Sequence, residues 1–222
     1  TVVRVGALVT HAQAERDPEL LRRGRLLCES CAQIGSPQIR NRGTIGGNLC
    51  NASPCADTLP ALAALNARLV LLSRRARREI ALEEALIGPY ETAVADDEIL
   101  SEIRFPATPP GAGSSFIKLG RRNALSISRM SVAAVIARSD DGRMRTVRLA
   151  AGSVAPTARR FREIEEMLEG RVPEHDLFTA AGREMAAAMV KQVGQRWSTP
   201  YKEPVVAALV RRALGRAAGE AR

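Results

Sequence analysis

Residues 39–62 read IRNRGTIGGNLCNASPCADTLPAL, and this stretch decides how the rest of the chain is interpreted. It sits inside a longer segment, Ala32 to Pro60, in which the hydrophobic period stops and Gly35, Pro37, Gly43, Gly46, Gly47 and Pro54 punctuate the sequence. A long aperiodic segment inside a compact domain usually serves a function. The Gly46–Gly47 pair removes two Cβ atoms, so backbone N–H groups could approach a phosphate closely. Thr44, Asn48 and Asn51 add short polar side chains suited to phosphate oxygens. Ser53 and Pro54 lead to Asp57 at the mouth of a short apolar helix, where a carboxylate can cap the helix or accept hydrogen bonds from a ribose or ribityl chain. The plainer interpretation is a turn at the two glycines followed by a capped helix.

Working outward, residues 2–9 (VVRVGALV) are β-branched and predict a strand. Apolar residues at Leu20, Leu21, Leu26 and Leu27 predict one helix between His11 and Cys31. A short helix is expected at 59–65, strands at 68–72 and near 77–81, and another at 98–105 ended by Pro106. The run PPGAG at 109–113 admits neither helix nor central strand and is the expected linker. Beyond it three strands are expected, at 114–119, 131–138 and 145–152, with Asp141–Gly142 as a hairpin turn. Helices are expected at 160–169, 176–193 and 204–218, with Ser198 and Thr199 as nearby caps. Strands followed by helices predict an α+β unit whose antiparallel sheet is covered on one side.

The 222 residues are 45% hydrophobic, enough for a proper core of one or two domains and against disorder. The longest apolar runs, such as 205–210, fall far short of the ~18 residues a membrane span needs, so no membrane span is expected. The chain opens at Thr1 directly in strand-like sequence with no apolar leader, so a cytoplasmic location and a missing upstream segment are expected. The net charge is +9, and thirty of the 33 basic residues are arginine. Such a surface favours acidic partners. One Trp, two Tyr and four Phe offer few platforms for stacking bases, and the arginines are scattered, so no nucleic-acid partner is expected.

Cys28 and Cys31 stand at i, i+3, and Cys50 and Cys55 flank NASP. The second spacing is unusual for a zinc ribbon, so unpaired small hydrophobes are expected in place of a metal site. His11 and His175 are far apart in sequence, which weakens any histidine-based triad. The acidic candidates precede a strand (Asp96, Asp97), make a turn (Asp140, Asp141) or lie along one arginine-flanked helix (Glu163, Glu165, Glu166, Glu169), and no pair suggests general acid–base catalysis.

Taken together, these motifs resemble the FAD-binding, or medium, subunit of the xanthine dehydrogenase family of molybdenum hydroxylases, with carbon monoxide dehydrogenase medium subunits among its members. The resemblance covers nearly the whole chain: VRVGALVTHA at 3–12, the loop at 34–62, DEILSEIRFP at 97–106, FIKLGRRNALSISRMSVAA at 116–134, and RWSTPYKEPVVAALVRRAL at 196–214. It implies the remainder of a PCMH-type FAD-binding domain over 1–108, then an α+β C-terminal domain over 113–222 with a three-stranded antiparallel sheet and helices. It implies that Thr44, Ile45, Gly46, Gly47 and Asn48 hold the FAD pyrophosphate and that Asp57 bonds the ribityl or adjacent phosphate region. Leu100 and Ile34 would make apolar contacts to the flavin ring, and Lys118 would lie near the flavin or its entrance. Family members also carry an earlier Gly-rich loop of the Ala-Gly-Gly-x-Ser/Thr kind, which makes half of the pyrophosphate site and is not in these 222 residues.

The resemblance further implies an electron-transfer role in a hetero-oligomer. A large molybdopterin subunit oxidises substrate, a small subunit relays electrons through two-iron iron–sulfur clusters, and FAD passes them to NAD, a quinone, oxygen or another acceptor. The chain itself would contribute no catalytic side chain. A non-catalytic scaffold or assembly subunit without FAD is the alternative. A basic nucleic-acid module built on a four-cysteine zinc site is a third reading, and it predicts bound zinc.

Overall fold

The computed structural model describes residues 1–122 and 125–221. Asn123 and Ala124, inside the 116–134 motif, lie outside the described residues. Two antiparallel four-stranded sheets organise the chain. The first has the order β1 (Val2–Gly6), β6 (Ile99–Pro106), β2 (Arg68–Leu72), β3 (Arg77–Ala81). The second has the order β10 (Arg159–Arg160), β9 (Met144–Gly152), β8 (Met130–Arg138), β7 (Gly113–Leu119). A two-stranded ribbon, β4 (Leu86–Gly88) and β5 (Glu91–Thr92), forms within the connection from β3 to β6. Residues 107–112 join the sheets without helix or strand.

The α+β architecture stands, with two corrections to the second sheet. It has four strands, because Arg159 and Arg160 pair with Ala151 and Ala150 on β9. It is also covered on both faces. Along β8, Ala133 and Val135 enter the core shared with the first half of the chain, while Val132, Ala134 and Ile136 enter the core under the C-terminal helices. A strand buried on both faces reads as a continuous apolar run, and VAAVIA at 132–137 is one. Helix α6 (Thr58–Ala64) covers one face; α9 (His175–Val193) and α10 (Thr199–Glu220) stack on the other, beside α8 (Arg162–Leu168). The long helices pack closely because Gly182 has no Cβ: one built there would lie 2.4 Å from the Ala207 carbonyl oxygen. Helix α10 begins five residues before the expected Pro204, with Pro200 in its first turn and Pro204 tolerated inside.

The single helix expected from His11 to Cys31 is three: α1 (His11–Arg16), α2 (Pro18–Arg23) and α3 (Arg25–Ala32). Asp17 caps α2 by accepting the Leu20 N–H at 2.9 Å, and Pro18 fits the first helical position, where no N–H is needed. Gly24 breaks the chain again where it passes Phe105; a Cβ there would meet the ring at 2.7 Å. The aperiodic segment is likewise not all loop. It contains α4 (Pro37–Arg42), capped by Ser36, and α5 (Ile45–Cys50), capped by Thr44. The remaining helix, α7 (Leu82–Ala85), is one turn after β3. Among the described residues no helix is long and apolar enough to cross a membrane.

Candidate functional site

The diglycine stretch lies in the first turn of α5. Thr44 Oγ1 accepts the Gly47 N–H at 3.0 Å, and the Thr44 carbonyl accepts the Asn48 N–H at 3.0 Å. The segment leaving β1 runs alongside: Ile45 N–H donates to Val9 and Gly46 N–H to Ala7, both at 2.9 Å, and Thr10 bridges Thr44. The amides of 45–48 are therefore engaged within the protein, and they are not the bare groups that a loop would present. The two glycines also differ. A Cβ on Gly46 would fall 2.6 Å from the Ala7 carbonyl oxygen, so this glycine permits the crossing of two backbones. Gly47 is exposed, and a Cβ there would meet only the Thr44 hydroxyl at 2.9 Å. Leu100, half-buried on β6, joins this neighbourhood because the next residue, Ser101, accepts the Ala7 N–H at 2.9 Å.

A second neighbourhood forms around Asp57. It occupies the N-cap position of α6, yet its side chain makes no capping bond. Asp57 Oδ2 instead accepts from Lys118 Nζ on β7 at 2.6 Å, with both side chains under a tenth exposed. Lys118 Nζ also donates to the Gln33 carbonyl at 3.0 Å, which brings it beside Ile34. Ile34 is half-buried; its carbonyl accepts from Arg40 Nη1 at 3.0 Å, and Arg40 is itself paired with Glu15 at 2.9 Å. Gly35 follows with φ +47°, a left-handed turn that glycine adopts readily. A cleft of about 710 Å³ opens here, lined by Gln33, Gly35, Ser36, Arg40, Lys118 and Gly120 among others. The two neighbourhoods connect through Asn48, whose Oδ1 accepts the Thr58 hydroxyl at 2.6 Å next to Asp57.

Burial raises the Asp57 carboxyl above its ordinary value, while the Lys118 hydrogen bond and charge pull it back and Ser128 helps. The Ser128 hydroxyl is close enough to act on the Asp57 carboxylate, yet Asp57 Oδ1 and Ser128 Oγ are both buried with no well-formed hydrogen bond. A buried polar atom left unpaired costs about 1–3 kcal/mol, so an orphaned carboxylate oxygen points to a donor supplied from outside the chain. Three participants were not singled out from sequence: Gln33, Arg40 and Ser128. Gln33 acts through its backbone carbonyl, which no side-chain pattern signals. Ser128 does lie within the 116–134 motif.

The cysteines do not assemble. Cys28 and Cys31 are buried in α3, and burial lifts the Cys28 thiol to about 11 and Cys31 higher still. Cys31 Sγ sits 3.7 Å from His11 Nδ1, but burial and then Arg40 hold His11 down at about 4. That pair is a neutral thiol and a neutral imidazole, unsuited to nucleophilic attack. Cys55 Sγ instead meets Ser153 Oγ at 3.3 Å. Among the described residues no three His, Cys, Asp or Glu side chains gather to hold a metal ion. His175 lies on α9 with Nε2 at 3.2 Å from Arg211, remote in sequence from His11.

Comparison with known proteins matches residues 1–108 to the FAD binding domain in molybdopterin dehydrogenase and residues 115–217 to the CO dehydrogenase flavoprotein C-terminal domain. The nicotine 6-hydroxylase medium subunit of Paenarthrobacter nicotinovorans is 31% identical over 96% of this chain and 74% of its own length. The carbon monoxide dehydrogenase medium chain of Hydrogenophaga pseudoflava is 31% identical over 98% of this chain and 75% of its own. A structure of carbon monoxide dehydrogenase from that organism superposes with TM-score 0.91 at 32% identity, over 100% of this chain and 76% of the other. The chain thus belongs to the family of FAD-binding medium subunits of the molybdopterin-dependent dehydrogenases and hydroxylases, and so to the oxidoreductases.

Proposed function

We propose that this chain holds FAD against α5, Asp57 and Lys118 and relays electrons within a molybdenum hydroxylase. Electrons would come from the iron–sulfur clusters of a small partner subunit, after substrate oxidation at the molybdopterin of a large one, and leave for an external acceptor such as NAD. The observation that carries this reading is the buried Oδ1 of Asp57, which has no hydrogen-bond partner while Oδ2 of the same carboxylate accepts from Lys118. The residues fit the cofactor in type: an acceptor for hydroxyl or ring N–H donors at Asp57, a cation at Lys118, and an exposed, Cβ-free surface at Gly47 beside the Thr44 hydroxyl. Bound FAD supplies the redox chemistry, accepting two electrons and releasing them singly or as a pair.

The chain's own residues then have positioning tasks. Thr44 and Asn48 would present polar side-chain atoms to the diphosphate, with Ile45 and Gly46 fixing the turn from within. Asp57 would take hydrogen bonds from the ribityl region, held in place by Lys118. Leu100 and Ile34 would supply apolar walls at the two ends of the site. We likewise take 1–108 as the flavin-binding unit and 113–222 as the C-terminal unit that contributes Lys118.

One observation favours the scaffold alternative: the amides of 45–48 already have partners inside the chain. The two readings separate on purification of the intact complex. A flavin absorbance band with about one FAD per copy of this chain supports the electron carrier, and a complex that assembles without flavin selects the scaffold.

A further inference from the structure

Near the start of α10 the Arg196 and Arg129 guanidiniums lie close enough to Lys202 to act on its charge. Lys202 Nζ donates to the Ser153 carbonyl at 3.2 Å. Burial lowers the Lys202 pKa; Cys55 opposes this, and the Arg196 and Arg129 guanidiniums lower it further by smaller amounts. Among the described residues none of the three forms an ion pair with an acid; Arg196 spends its Nε on the Val193 carbonyl at 3.2 Å.

Beside these cations lies a cavity of about 350 Å³, within the range of small-molecule sites, and no Asp or Glu lines it. Trp197 and Tyr201 flank it and stand 94% and 49% exposed, although rings of this size normally find cover. Ser128, which also lines the cavity, is 3% exposed, and its Oγ has no hydrogen-bond partner. Uncompensated cations, uncovered rings and a buried hydroxyl without a partner are three separate deficits, and one kind of ligand answers all of them.

We propose that this cavity binds a small planar molecule bearing a phosphate or carboxylate. The ring lies on Trp197 and Tyr201, and Lys202 and Arg129 hold the anion with help from Ser128. Ser128 also neighbours Asp57, but Trp197, Tyr201, Lys202 and Arg129 have no part in the flavin reading, so variants of Arg129 and Lys202 test this cavity apart from it.

Trp197 is the sole tryptophan of the chain, so its fluorescence reports on this cavity directly. The full chain is titrated with AMP, a planar base carrying a phosphate on its ribose, and with benzoate, an aryl carboxylate, and separately with adenosine and inorganic phosphate. Saturable quenching by AMP or benzoate is expected, with adenosine and inorganic phosphate binding at least tenfold more weakly. Arg129→Gln and Lys202→Gln should each weaken the better probe about tenfold, with circular dichroism unchanged. Arg129 is exposed, so its variant keeps the test valid should Lys202→Gln fold poorly. Failure of both probes to saturate overturns the proposal. So does adenosine or phosphate matching the better probe, or a folded Arg129→Gln protein that binds as tightly as the parent.

Discussion

Lys118 on β7 and Asp57 at the start of α6 stand 61 residues apart in sequence and meet at 2.6 Å with almost no solvent access. The pair ties the second sheet to the first half of the chain. Removing one partner from a buried ion pair leaves the other uncompensated and costs about 3–5 kcal/mol, whereas replacing both with apolar groups of similar size can be nearly neutral. Asp57→Asn and Lys118→Met should each lower the urea midpoint markedly, and the double variant Asp57→Leu/Lys118→Met should recover much of the loss. Single variants as stable as the parent would show that the pair is not held dry.

The two glycines of α5 should separate folding from cofactor binding. Gly46→Ala forces a Cβ into the Ala7 backbone, so it should cost about 1–3 kcal/mol. Gly47→Ala disturbs only the Thr44 hydroxyl, and the loss of a cap worth ~1 kcal/mol is offset by a similar gain in helix propensity. Thermal unfolding should therefore single out Gly46→Ala, while flavin content of the purified complex should fall in Gly47→Ala at nearly unchanged stability. A Gly47→Ala complex with full flavin content would remove this face of α5 from the binding site.

Why some of this was readable in advance and some was not follows from length and distance. The strands at 68–72, 77–81, 99–106 and the hairpin closed by Gly142 (φ +79°) carry their pattern locally. Helices α4 and α5 have six residues each, less than two turns, so no apolar period can develop; their caps Ser36 and Thr44 were the available signals. The break at Gly24 depends on the Phe105 ring, and the need for glycine at 46 depends on the Ala7 carbonyl, both contacts from distant strands. The motif at 44–48 and Asp57 stood out by composition, but the engagement of those amides by residues 7–9 did not. Asp57 takes Lys118 as its partner in preference to its own helix because the second sheet is close enough to supply a cation.

The crossing of α9 and α10 offers a test of close packing away from the site. A Cβ on Gly182 would lie 2.4 Å from the Ala207 carbonyl oxygen and 3.1 Å from its Cα, so it meets backbone and not a movable side chain. Gly182→Ala should gain helix propensity yet lose about 1–3 kcal/mol net through forced separation of the helices. Differential scanning calorimetry would show a lower Tm; a raised Tm would mean that the helices can slide apart freely.

His11 should make the protein sensitive to mild acid. Its ring is buried against Cys31 and Gly43, and burial followed by Arg40 lowers its pKa from 6.5 to about 4. Between those values the unfolded imidazole binds a proton and the folded one does not, so the unfolded state gains as pH falls. Stability is therefore full above about pH 6.5 and declines toward pH 4, by on the order of 2 kcal/mol once partial solvent access is allowed for. Glu19, Glu98 and Asp141, held below the usual carboxylate range by Arg22, Arg78 and Ser139, shed their contributions at lower pH still. Urea midpoints measured at pH 7 and pH 5 should differ in the parent and converge in His11→Gln. Equal midpoints in the parent would mean that the imidazole takes its proton without leaving its place against Cys31.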